Sequence, residues 1–258
     1  MSKVTDIKLG NNKSPASRRS PVLIIFAVIV ISFLGIIIAP KSNFKNDWDI
    51  IGKQYEESKA ISDPKLRQEA FMTSLKEMIA MRNKYPEHAR LYLNTAVIFQ
   101  ALNMPDSAFK NAYTALKKGG DGTVNQINSF AIDIMLKSTI QKAQVFFMQK
   151  DTVDALNTFK YANSLIQHPF LGKTIGSFYA NFGSADSALK YLYQSYKLNN
   201  RDSEVFYFVG LTYYKGNKID SAIYFLNQAI TMNPNEQQAK SLINLITSQG
   251  NNENSKHN

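Results

Sequence analysis

The chain has 258 residues, 44% of them hydrophobic and 19% charged, with a formal net charge of +10. That composition fits one extended folded domain with accessories and excludes general disorder. Cysteine is absent, which excludes disulfides, thiolate metal sites, cysteine nucleophiles and a lipid-modified N-terminal cysteine, and leaves the redox compartment open.

Residues 1–21 are rich in Lys, Ser, Asn and Arg and have no apolar periodicity. They are expected to form a disordered basic tail that favours anionic lipid headgroups. Residues 22–39, VLIIFAVIVISFLGIIIA, carry no charge and fourteen Val, Leu, Ile or Phe. On an insertion scale such a run gains about 4 to 8 kcal/mol in the membrane, and as a helix it spans about 27 Å. A cleaved signal has a shorter apolar region, and Ile37 and Ala39 followed by Pro40 make a poor cleavage site. The expectation is one retained transmembrane helix. Lys3, Lys8, Lys13, Arg18 and Arg19 precede it, against Lys41 and Lys45 after it, so the N-terminus is expected in the cytoplasm and the rest outside it. Ser32 and Gly35 do not make a G-x-x-x-G pair.

Residues 40–88 are expected to hold a linker helix with Trp48, Ile51 and Tyr55 on one face, and then a second helix. Asp63 and Pro64 supply its start, and Leu66, Phe71, Leu75, Met78 and Ile79 its apolar face.

From Ala89 on, a period of thirty-four residues takes over. Its clearest copy begins at Ser203, with Phe206 at the fourth place, Val209 and Gly210 at the seventh and eighth, and Tyr213 at the eleventh. Ala222, Leu226, Ala229 and Pro234 follow at the twentieth, twenty-fourth, twenty-seventh and thirty-second. One period back stand Gly176, Tyr179, Ala188, Leu192 and Ser195. Before them come Ala143, Phe146, Ala155, Phe159 and Ala162, and first of all Tyr92, Ala96, Phe99, Ala108, Ala112 and Ala115. This spacing resembles the tetratricopeptide repeat (TPR) family. The resemblance implies an all-α solenoid of helical hairpins, with small residues such as Gly210 and Ala222 where paired helices touch. The repeats are expected at 89–122, 123–168, 169–202 and 203–236, and 40–88 reads as a degenerate first repeat. Gly216 and Asn217 are expected to form a turn, Asp220 to cap the helix after it, and Pro234 to end the unit.

The second of these repeats carries thirteen extra residues. Thr123 is a candidate cap, and Val124, Ile127, Ala131 and Ile134 keep helical spacing, so its first helix is expected to be extended at the N-terminal end. The extension reads either as a contact surface or as packing against the linker helix at Trp48. Residues 237–249 put Ala239, Leu242, Ile243 and Ile246 on one face and are expected to cap the stack, ending at Gly250. Residues 250–258 read as a disordered tail.

No constellation of catalytic residues emerges, and no cofactor, metal or enzymatic activity is expected. His88, His168 and His257 lack ligand spacing. There is no P-loop or dinucleotide fingerprint, and Gly119, Gly120 and Gly122 read as a helix end. Lys110, Lys117, Lys118, Lys160, Lys190, Lys197 and Lys218 fall on second helices, so they read as a solvated outer face and nucleic acid is not expected as a partner.

In TPR proteins the first helices line a concave groove through the second, fifth, ninth and twelfth places. Carried over, these are Arg90, Leu93, Val97 and Gln100; Lys137, Ile140, Gln144 and Phe147; Phe170, Lys173, Ser177 and Ala180; Glu204, Tyr207, Leu211 and Tyr214. The candidate partner-binding groove is Phe147, Phe170, Lys173, Ser177, Tyr207, Leu211 and Tyr214. It suits a protein partner, as a peptide or helix, unless some of these rings pack on a neighbouring repeat or the capping helix. Lys173 with Ser177 departs from the lysine and asparagine pair of the chaperone-tail clamp, so an acidic C-terminal tail is not the expected ligand. The plan resembles bacterial inner-membrane TPR proteins that accompany the Sec translocon and its periplasmic folding factors. It implies a single-pass inner-membrane adaptor, N-terminus cytoplasmic, with the repeats extracytoplasmic. Envelope assembly, a secretion apparatus, an organelle import receptor and carbohydrate or peptidoglycan binding stay open.

Overall fold

The computed structural model describes residues 44–119, 124–199 and 201–254. The apolar run 22–39, the basic tail before it and Thr123 lie outside the described residues. Among those described, no helix is long and apolar enough to cross a membrane, and every regular element is a helix. The described chain falls into two units that divide at Tyr85 and Pro86.

The first unit is one antiparallel hairpin, α1 (Phe44–Lys59) and α2 (Pro64–Lys84). Asp63 starts α2 by accepting from the backbone N–H of Lys65 and Leu66, and Pro64 takes a first-turn position where a missing N–H costs nothing. Ile51 is buried, and Tyr55 meets Phe71 at 5.8 Å between ring centroids. Ser58 and Ser74 hydroxyls stand 3.4 Å apart. At the open end, Lys84 Nζ pairs with Asp47 at 3.0 Å. The expected α2 face is shifted by part of a turn. Phe71, Leu75 and Met78 are buried together with Ser74 and Met81, while Leu66 and Ile79 are half-exposed.

The second unit is a series of hairpins, α3 (Ala89–Ala101) with α4 (Pro105–Lys118), α5 (Val124–Met148) with α6 (Thr152–Leu165), α7 (Pro169–Phe182) with α8 (Ala185–Leu198), and α9 (Ser203–Lys215) with α10 (Ile219–Met232). It closes with α11 (Gln237–Asn254). Within each hairpin small residues lie at zero exposure: Ala96, Ala108 and Ala112 in the first, Ala155 and Ala162 in the second, Ala188 in the third, and Ala222, whose carbonyl faces Gly210, in the fourth. A Cβ built on Gly176 would stand 2.7 Å from Leu192 Cγ and 3.0 Å from the Leu192 backbone nitrogen. One built on Gly210 would stand 2.8 Å from Leu226 Cγ.

Three of the four turns share one backbone solution. Asn103, Lys150 and Asn217, each at the fifteenth place of its repeat, have φ of 55, 60 and 55°. The next N–H in each case reaches back to the eleventh-place carbonyl, as from Lys218 to Tyr213 at 2.9 Å. That is the left-handed ending in which otherwise orphaned helix carbonyls find donors. Gly216 precedes the left-handed residue here and has a negative φ. Neighbouring repeats are also tied directly. Lys215 Nζ donates to the carbonyls of Ala180 and Asn181, at 2.9 and 2.8 Å, at the last turn of α7. Ser195 Oγ donates to the Pro169 carbonyl at 2.8 Å.

Two expectations are corrected. Asp220 does not cap α10: Lys218 holds that place without a side-chain bond, and Asp220 sits in the first turn. Asp106 and Asp186 do the same, where a negative charge meets the positive end of the helix. On the α5 extension, Ile127, Ala131 and Ile134 are buried in one core with Ala89, Leu93 and Ala96 of α3. α11 does not end at Gly250 but runs to Asn254, since a glycine in a helix costs only about 1 kcal/mol.

The close approach predicts opposite signs for two glycine substitutions. Gly176→Val should lower stability by about 1–3 kcal/mol through overpacking. Gly52→Ala, within α1 and with nothing within 4 Å of the added Cβ, should raise it by up to about 1 kcal/mol. Thermal unfolding followed by circular dichroism reads both.

Candidate functional site

The seven groove candidates do not form one open surface. Tyr207, Leu211 and Tyr214 are half-buried and pack against a core built from Ala222, Leu226 and Ala229 of α10 and Ala239, Leu242 and Ile246 of α11. Tyr214 also donates its hydroxyl to Gln249 Oε1 at 3.0 Å. Tyr207 borders a shallow depression of about 390 Å³ with Gln237, Ser241, Leu242 and Leu245. Burial, followed by the nearby Glu236 carboxylate, raises its pKa. These rings therefore serve as the seat of the capping helix. Phe170 turns into the core and meets Phe159 edge-on at 6.5 Å. Ser177 bonds the Thr174 carbonyl at 2.9 Å. Phe147 is the member left open, 47% exposed on α5.

Lys173 is engaged within the chain. Its ammonium pairs with Asp202 at 2.9 Å and Glu204 at 2.5 Å. Burial alone would lower its pKa, but the hydrogen bonds to Glu204 and Asp202 outweigh it and hold the group above its ordinary value. Any anionic ligand at this place competes with two carboxylates already seated.

Among the other first-helix places, Leu93 and Ala180 are buried, and Gln100 donates to the Ile134 carbonyl at 3.4 Å. Arg90, Lys137, Gln144 and Glu204 are exposed, with Val97 and Ile140 intermediate. On α5, Phe130, Lys137, Gln144 and Met148 fall on one helical stripe by the 3.6-residue period, and all four are exposed, Phe130 by 61% and Met148 by 84%.

A second feature was not anticipated. Between α4, α5 and α6 lies an open cleft of about 630 Å³. Phe109 and Tyr113 of α4, Phe146 of α5 and Tyr161 of α6 line it, with Ser138 and Thr139 of α5 also on its wall. Phe109 and Tyr161 stand 5.9 Å apart between centroids. At the rim Lys142 Nζ donates to Asp106 Oδ1 at 2.7 Å, and Lys110 and Asp154 add one charge of each sign. Ser138 is 1% exposed, and its hydroxyl has no hydrogen-bond partner. The signal was present in the repeat alignment. At the third place, where Leu91, Leu171 and Val205 are buried, stands Ser138. At the fourth, where Tyr92 and Phe206 stand, is Thr139, and at the seventh, where Thr95, Ile175 and Val209 are buried, is Lys142.

No metal centre is built: among the described residues no three His, Cys, Asp or Glu side chains gather to hold an ion. His168 caps α7, its Nδ1 accepting from the Phe170 N–H at 3.2 Å, and burial lowers its pKa against an opposing pull from Asp133. His88 lies 3.1 Å from Glu87, and His257 lies outside the described residues. Of the second-helix lysines, six are exposed and Lys160 is half-exposed. Several lie over rings, as Lys118 over Tyr92 at 5.1 Å.

The Lys173 pair yields a pH prediction. The charged form is favoured in the folded chain, so its stabilisation is complete below the unfolded lysine value and is lost as pH rises through the raised folded one. Lys173→Met should unfold earlier than the parent at neutral pH, by about 1 kcal/mol or less for a partly exposed pair. The gap should close above about pH 10.5. Thermal melts of both chains across pH 7 to 11 (roughly the lysine range) check this.

No family model matches the chain, and no curated protein does. Solved structures similar to it include YrrB, described as a TPR protein with an unusual peptide-binding site. It is 16% identical over 83% of this chain and 98% of that one, with a TM-score of 0.44. Another is the C-terminal part of a TPR repeat-containing protein from Cytophaga hutchinsonii, 18% identical over 76% of this chain and 67% of that one, TM-score 0.41. A third is TTC0263, a thermophilic TPR protein of Thermus thermophilus, 15% identical over 80% of this chain and 99% of that one, TM-score 0.36. The recurring residue positions and the hairpins they close give the second unit an all-α, TPR-like solenoid fold.

Proposed function

We propose that the chain is a non-enzymatic scaffold, anchored in the inner membrane through residues 22–39, that holds other envelope proteins against its repeats outside the cytoplasm. The observation that carries the scaffold reading is the uncovered stripe of α5. This helix runs 25 residues, about twice its counterparts, and presents Phe130 and Met148 on one stripe with Lys137 and Gln144 between them. Exposed apolar side chains fixed on a rigid helix, flanked by polar ones, suit a partner helix or extended peptide. The charge-free run and the basic residues before it support the anchored, N-in placement. On the resemblance in overall plan, the pathway proposed is service to the protein translocon or its folding factors.

Two measurements test this. In right-side-out membranes a C-terminal tag should be cut by added protease and an N-terminal tag should survive; the reverse pattern would overturn the orientation. The full chain should co-purify with envelope proteins from native membranes in mild detergent, and the double variant Phe130→Asp, Met148→Asp should lose them while keeping the parent's circular dichroism. A partner set identical for parent and variant would sink α5 as the contact surface.

A further inference from the structure

The second helices of the repeats sort their charge along their length. α4, α6, α8 and α10 each carry one carboxylate, Asp106, Asp154, Asp186 and Asp220, and each stands in the first turn. Beyond that turn every charged side chain on these helices is a lysine. Lys110 and Lys190 stand in the second turn, Lys160 past the middle, and Lys117, Lys118 and Lys197 in the last. The helix dipole accounts for the last three, whose charge meets its negative end, and gives no reason for the other three. Among the described residues Lys110, Lys117, Lys160, Lys190 and Lys197 have no carboxylate partner. Lys142 and Lys173, on first helices, are both paired.

These five lysines also share a face. The twenty-second, twenty-fifth, twenty-sixth and twenty-ninth places fall on one helical stripe, and on the four second helices those places hold all five lysines and no Asp or Glu. They also hold Tyr113, Tyr161, Tyr193 and Tyr224. The tyrosines of this chain that stand exposed are Tyr161, Tyr193, Tyr196 and Tyr224, all on second helices, with Tyr161 61% and Tyr224 59% exposed. Rings with a polar tip beside unpaired cations match the headgroup layer of a bilayer, where tyrosine sits by its amphipathic ring and each lysine is drawn to anionic lipid. Nucleic acid is the other polyanion to weigh. The stripe holds no arginine, the planar fork that grips phosphate and base edges in pairs. The uncharged run ends at Ala39 and α1 starts at Phe44, so the anchored reading, on which this step rests, keeps the face at a high effective concentration of lipid.

We propose that the outer stripe of the second helices is a docking surface for anionic lipid headgroups, with its lysines against the phosphodiester groups and the rings of Tyr161 and Tyr224 at headgroup level. It lies on other helices than the exposed stripe of α5, which stays open to a protein partner.

The test places the full chain in nanodiscs of POPC alone or of POPC with about 30% POPG and follows the acylation of each lysine by N-hydroxysuccinimidyl acetate with mass spectrometry. Lys110, Lys117, Lys190 and Lys197 should react about three- to tenfold more slowly in the POPG discs. Lys137 and Lys150, exposed on α5 and in the turn after it, should react alike in both. Sodium chloride at about 0.5 M should remove the protection. The triple variant Lys110→Gln, Lys190→Gln, Lys197→Gln, with the parent's circular dichroism, should remove it at Lys117 and Lys160; the salt arm decides the matter if that variant misfolds. Equal labelling of the stripe lysines in the two discs, or protection that reaches Lys137 and Lys150 to the same degree, would overturn the proposal. So would discs that give no protection beside a single-stranded DNA of about 20 nucleotides that the parent binds and the triple variant does not, and the face would then belong to nucleic acid. A chain that elutes apart from the POPC discs would overturn the anchored reading alone, and labelling in excess POPG discs would still decide the face.

Discussion

The second unit depends on how closely two helices of a hairpin can approach. Gly176 stands against Leu192 and Gly210 against Leu226 with no room for one more carbon, and the facing alanines lie at zero exposure. Beside that contact Tyr179 stacks on Tyr191 and Tyr213 on Phe225, each pair within its own hairpin, and between hairpins Tyr196 of α8 meets Phe206 of α9 edge-on. Dispersion between close surfaces and removal of apolar area from water then act at one contact. The three core clusters of the unit share half-buried members, Tyr179 between the first and the next and Leu211 and Tyr213 between the later two. Each hairpin thus leans on its neighbour.

The architecture was legible in the residues because this constraint is local. A glycine at the eighth place and an alanine at the twentieth can be seen from spacing alone, and the helical-hairpin solenoid follows. Helix ends were less legible. The tripeptide Asp220, Ser221, Ala222 looks like a capping sequence, yet the Schellman ending at Asn217 and Lys218 fixes the start of α10 two residues earlier, and the aspartate acts through charge alone. Nothing in the composition of residues 250–254 announces that α11 continues through them.

The candidate site was legible only in part. The groove candidates fall on the first helices, but a periodic pattern tells which residues share a face and not what lies over it. Tyr207, Leu211 and Tyr214 share a face, and α11 covers it. Lys173 looks like a free groove cation until Asp202 and Glu204, about thirty residues later in the chain, close on it in space. The cleft escaped for the opposite reason. Ser138, Thr139 and Lys142 are mismatches to the repeat and carry their information by what they replace.

Lys215 has a wider meaning for how the unit holds together. Its ammonium serves as the donor for the last carbonyls of α7, a helix one repeat earlier, so the end of that helix is completed from outside its own hairpin. Helix termination and repeat stacking become the same event there. A repeat of this kind is not a self-sufficient bead on a string: the free energy of its last turn belongs to the junction, and removal of the following repeat leaves α7 frayed although every residue of its own hairpin is present.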